Sequence, residues 1–146
     1  MPETSGFVSA RDDTVLLLGR VMMAVLFLPS GFAKVTGLTA FAASLEARGM
    51  PAPYLLAVIG GSAEFFGSLA VLLGFRIRYA AILMVLFVVI ATAIAHRYWE
   101  FTDQTIARFQ RSSFFKNIGI TAGFLFLLVS GAGRFSLDAL MRRTRS

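Results

Sequence analysis

Hydrophobic positions fall in four long runs along this chain, Val15–Ala33, Tyr54–Gly74, Tyr79–Ala95 and Phe114–Gly131, separated by short polar or basic connections. A helix of roughly 20 apolar residues crosses a hydrocarbon core of about 30 Å, so the pattern predicts four spans. Polar residues interrupt or border these runs at Arg20, Lys34, Glu64, His96 and Lys116. A charge at the centre of a transmembrane helix costs roughly 2.5–3.5 kcal/mol on the mildest scale, so such groups are paired or used.

In the first span, Arg20, Ala24, Phe27, Gly31 and Lys34 recur at steps of three and four and share one face. Pro29 is expected to kink that helix and let Lys34 lean inward. Asp13 or Thr14 is expected to cap its start. Between the first two spans, Leu38, Phe41, Ala42 and Leu45 have helical spacing, and Gly49 and two prolines follow. This pattern predicts a short amphipathic helix on the membrane surface. Gly60, Glu64 and Gly67 share a face of the second span, which points the carboxylate into the bundle. Thr92 and His96 lie four apart in the third span. Tyr98, Trp99 and Phe101 form an aromatic interfacial belt. Thr102–Ser113 reads as a polar connection whose Ile106 and Phe109 dip into the interface. Lys116, Gly119 and Gly123 open the fourth span on a packing face.

Composition agrees with the pattern. Of 146 residues, 57% are hydrophobic, against 45–50% in soluble domains, and the mean hydropathy is +0.75. Four spans leave no room for a second domain. The expected organisation is a cytoplasmic N-terminal segment 1–13, a four-helix domain 14–139 and a basic tail 140–146. The first span is expected to be retained, because no basic start precedes it and no A-x-A site follows. The net charge of +6 places basic residues at span ends, where headgroups and topology explain them better than nucleic acid does. With both termini inside, eight lysines and arginines fall on the cytoplasmic half and six on the outer half. That bias favours cytoplasmic termini.

The chain has no cysteine and one histidine. Disulfides, iron–sulfur ligation and a bis-histidine haem within one chain are therefore excluded. One histidine and one deep carboxylate do not make a metal site. A pairing of Arg20 with Glu64 is the favoured way to neutralise the carboxylate. Lys34 and Lys116 each taken alone fit lysines snorkelling to headgroups, and their convergence with His96 at one mouth of the bundle raises the case for a site.

The run Leu18-Gly19-Arg20 followed by Phe27-x-x-Ser30-Gly31-x-x-Lys34 resembles the opening of DoxX proteins. The resemblance continues through Gly49-Met50-Pro51-Ala52-Pro53, Ala63-Glu64-Phe65-Phe66-Gly67, Leu73–Arg78, Thr92 to His96, Phe115-Lys116-Asn117 and Gly133–Asp138, and covers roughly Thr14 to Ala139. It implies a small four-helix protein of the bacterial inner membrane, linked in related members to quinone-dependent oxidation and stress-related oxidoreductase complexes. Carried over, the family's polar positions are Arg20, Lys34, Glu64, His96, Lys116 and Asn117.

The expectation is an all-α antiparallel four-helix membrane bundle with a polar pocket toward its outer half. A quinone-like ligand would sit there, with Glu64 and His96 as catalytic groups and Arg20, Lys34, Lys116 and Asn117 binding the ligand. The chain has no redox centre of its own, so electrons would come from the ligand or from partner subunits; homo-oligomerisation is open. The alternative is a non-enzymatic anchor or assembly partner for a redox or stress-response protein. A small-solute carrier ranks third, because one four-helix bundle lacks the usual repeat scale for alternating access.

Overall fold

The computed structural model of the chain describes residues 10–144, with the side chains of 10 and 11 left out. Most of the expected N-terminal segment lies outside the described residues. Among those described, six α-helices run in the order α1 (Ala10–Thr36), α2 (Leu38–Glu46), α3 (Pro53–Leu73), α4 (Ile77–Ala95), α5 (Gln104–Ser130) and α6 (Leu137–Arg143), with a 3₁₀ turn at Tyr98–Glu100. Four of them, α1, α3, α4 and α5, are long and apolar enough to cross a membrane. The bundle is antiparallel. Packing of α1 on α3, α3 on α4 and α4 on α5 carries most of the contact, and Phe27 against Phe124 closes α1 onto α5.

The core is built where the apolar faces meet: Val71, Ile77, Met84, Val88, Phe124 and Leu127 are buried together. The outside is equally apolar. Val129 is 81% exposed, and Met22 and Phe126 are nearly as open. Such a surface belongs against acyl chains or another apolar partner rather than water.

Local chemistry sets the helix ends. Gly74 takes a left-handed conformation (φ 63°) that ends α3, and the Phe75 amide folds back to donate to the Ala70 carbonyl at 2.9 Å. Pro53 opens α3, where a missing N–H costs nothing. The expected amphipathic helix matches α2. Its Ala42 and Leu45 pack on Ala57 of α3.

Two expectations are corrected. First, α5 begins at Gln104, ten residues before the apolar run. Asp103 caps it by accepting from the amides of Thr105 and Ile106, so the expected connection is largely helix. Second, Asp13 does not cap α1, which is already helical at Ala10; its buried carboxylate accepts from the Arg134 amide at 2.8 Å. Helix α6 is started by Ser136, which accepts from the Ala139 amide. The start of α1 and the 133–138 segment thus meet at the same end of the bundle as the α3–α4 turn, and α2 lies at the other end.

Candidate functional site

A close approach of two backbones makes the site. A Cβ built on Gly31 of α1 would lie 2.7 Å from the Phe65 amide nitrogen of α3. Only glycine lets the helices come that near. One turn further along α1, Lys34 reaches across, and its Nζ lies 2.5 Å from Oε2 of Glu64. Glu64 sits near the middle of α3, with its side chain 3% exposed. Lys34 is more open at 29%. Its Nζ also donates to Ser30 Oγ at 3.0 Å, one turn back on the same face. An ammonium has three N–H donors. Two are taken by Glu64 and Ser30. Around the remainder stand two aromatic rings, with Nζ 5.3 Å from the Phe41 centroid and 5.9 Å from that of Phe87, within cation–π range.

Lys34 forms part of the wall of a cavity of about 450 Å³ between α2, α3 and α4. The other walls are almost wholly apolar, and include Leu45, Leu56, Leu86 and Ile90; Ser44 and Arg48 supply the other polar groups. Ile59, Leu83, Leu86 and Ile90 also face outward from the bundle, so the cavity borders the lipid-facing surface between α3 and α4. Size and lining match the range of small-molecule sites.

Arg20 does not pair with Glu64. It is 1% exposed and lies at the opposite end of the bundle, where it donates to the Leu72 carbonyl at 2.9 Å and to the Phe135 carbonyl. Eleven residues separate Arg20 from Gly31 along α1, about 16 Å of rise, too far for the guanidinium to reach the carboxylate. Its Nε is buried with no hydrogen-bond partner. Arg20 therefore ties the end of α3 to the segment after α5, apart from the cavity.

Two of the remaining candidates, His96 and Asn117, make polar contacts between the α4 end and α5. Nδ1 of His96 lies 2.7 Å from Gln110 Oε1. The Asn117 amide donates to Thr92 Oγ1 at 2.8 Å, and Thr92 in turn donates to the Val88 carbonyl. Neither His96 nor Asn117 lines the cavity. Lys116 is exposed on the outer surface of α5, consistent with a snorkelling lysine. Of six expected site residues, the fold joins Lys34 with Glu64 and leaves the other four elsewhere. Sequence reasoning missed Ser30, Phe41, Phe87 and Gln110. Ser30 was detectable, being four residues before Lys34; the two phenylalanines were not, among the fifteen in the chain.

The DoxX family model matches residues 15–97, the stretch that carries both partners of the ion pair and the cavity walls. The chain belongs to the DoxX family. Its relatives include the inner membrane proteins YphA and YqjF of Escherichia coli strain K12. The first is 31% identical over 88% of this chain and 91% of its own length; the second is 32% identical over 90% and 95%. A shorter match, 33% identical over 47% of this chain and 23% of the relative, is to a Surfeit locus protein 4 homolog of Schizosaccharomyces pombe. No solved structure matches. The chain is thus a multi-pass membrane protein of the DoxX family.

Proposed function

We propose that this DoxX protein resides in a bacterial inner membrane, with both termini cytoplasmic, and binds a lipid-soluble quinone-like ligand in the cavity between α2, α3 and α4. The observation that supports this reading is the Lys34 ammonium, held by Glu64 and Ser30 with a further N–H to offer, in a cavity otherwise almost entirely apolar. Because Glu64 already balances the cation, the site suits a neutral carbonyl carried on an apolar body better than a fully charged anion. A quinone, when bound, supplies an electron-accepting pair of carbonyls. Lys34 would donate a hydrogen bond to one of them and stabilise negative charge developing on that oxygen. Glu64, behind Lys34, would hold the compensating charge or a proton. Phe41 and Phe87 would flank the head of the ligand and exclude water. With no cysteine and one histidine in the chain, electrons would come from a partner subunit.

The second reading, a non-enzymatic anchor or assembly partner, draws on the first turns of α5. There Ile106 and Phe109 are exposed beside Arg108 and Arg111, a surface suited to a docked protein. Binding of a quinone analogue to the detergent-purified full chain separates the two. On the first reading Lys34→Met and a cavity-filling Ala63→Phe each weaken binding at least ~10-fold, the scale of one lost charge-assisted hydrogen bond, while His96→Ala leaves it unchanged. Equal binding by all four proteins, or none by the parent, would end that reading.

A further inference from the structure

A second, larger concavity lies at the opposite end of the bundle, and its chemistry differs. It has a volume of about 880 Å³ and lies among the starts of α1 and α4, the end of α5, and α6. Five arginines line it: Arg76, Arg78, Arg134, Arg142 and Arg143. Two carboxylates accompany them, and both face backbone. Asp138 accepts from the amides of Arg76 at 2.7 Å and Ile77 at 2.9 Å. Asp13 accepts from the Arg134 amide, and its ion pair with the Arg134 side chain is long, at 3.9 Å. The side chains of Arg76, Arg78 and Arg142 are exposed and make no ion pair among the described residues. Among the described residues, Arg76, Arg78 and Arg142 therefore bring to the cleft positive charge that no carboxylate side chain pairs with.

Its position adds the second constraint. Tyr79 lines the cleft, and Phe135 and Leu140, next in the chain to the lining residues Arg134 and Met141, are exposed as well, apolar or amphipathic groups that belong against acyl chains or at the headgroup boundary. An anion held among these arginines would have hydrocarbon beside it. Basic pockets between transmembrane helices at the membrane surface suit lipid phosphates, and arginine pairs bidentately with phosphate oxygens.

We infer that this cleft is a binding site for the headgroup of an anionic phospholipid, with Arg78 of α4 and Arg142 of α6 clasping the phosphate and Arg76 and Arg134 flanking it. The site is independent of the ligand cavity at the α2 end. The lipid bridges α4 and α6, and so fastens the C-terminal helix to the membrane face of the bundle.

Native mass spectrometry of the full chain, released from detergent doped with equal amounts of phosphatidylglycerol and phosphatidylcholine, tests this. Preferential retention of phosphatidylglycerol is expected. The double variant Arg78→Gln/Arg142→Gln should reduce its affinity by roughly 10- to 30-fold, on the basis of ~1 kcal/mol per basic side chain near the surface. The control Arg108→Gln/Arg111→Gln, at the other end, should not. All four side chains are exposed, so an unchanged helical circular dichroism spectrum verifies folding. Equal retention of the two lipids overturns the inference, as does a loss of the same size in both double variants. Inorganic phosphate or glycerol phosphate displacing the lipid at comparable concentration would make this a site for soluble anions, and would overturn it too.

Discussion

At the scale of single residues, Lys34 and Glu64 carry the argument. A mid-membrane carboxylate with no counter-charge is costly, and the fold supplies the nearest cation that α1 can bring to bear. The sequence shows that Glu64 requires a partner. It does not show which one, since Arg20 and Lys34 lie on the same face of α1. Breaking a buried pair strands the other charge. Lys34 is partly exposed, so the penalty is smaller than for a fully buried pair. Lys34→Met and Glu64→Gln are each expected to destabilise the protein by about 1–3 kcal/mol. The double variant should lose clearly less than their sum. Thermal unfolding in detergent measures all three, and additive losses would show that the two side chains do not interact.

At the scale of elements, the contact of α1 with α3 positions both charges. That contact depends on Gly31, where an added methyl would meet the Phe65 and Glu64 backbone. A backbone atom cannot rotate away as a side chain can. Gly31→Ala should therefore force α1 outward, cost about 1–3 kcal/mol and separate Lys34 from Glu64. Gly19→Ala on the same helix meets nothing within 4 Å and should be neutral or slightly stabilising. The same unfolding assay compares them, and equal losses would refute the close-approach account. Most of the elements were legible in the hydrophobic runs, including α2 from the spacing of Leu38, Phe41, Ala42 and Leu45. The early start of α5 was not. Its first ten residues are polar on nearly every face, so their helicity rests on the Asp103 cap and on packing against the 3₁₀ turn. Hydropathy sees neither.

At the scale of the whole molecule, polar groups gather toward the two ends of the bundle, with Glu64 reaching to mid-span. One end holds the Lys34 cavity and the other the arginine-lined cleft. Four spans place both termini on one side, and the modest excess of basic residues there is the ground for proposing that this side is cytoplasmic. Because the chain has no cysteine, single-cysteine labelling is a clean test. Thr102→Cys, beside the start of α5, should react with a membrane-impermeant maleimide in intact cells. Thr144→Cys, after α6, should react only after lysis. Reversed labelling would invert the orientation, and labelling of both in intact cells would contradict the shared side of the four-span topology.

What the amino-acid order determined by itself is the number of spans, the surface helix between the first two, and the family. These follow from local quantities, hydropathy and motif spacing, that need no knowledge of which helix touches which. Tertiary structure alone decided the partner of Glu64, the separation of Arg20 from the cavity, the placing of His96 with Gln110, and the gathering of arginines from α4, the segment after α5, and α6. Each of these depends on the relative depth and rotation of helices far apart in the chain. Backbone approach at residues such as Gly31 sets that geometry, and the apolar period of a single helix carries no record of it.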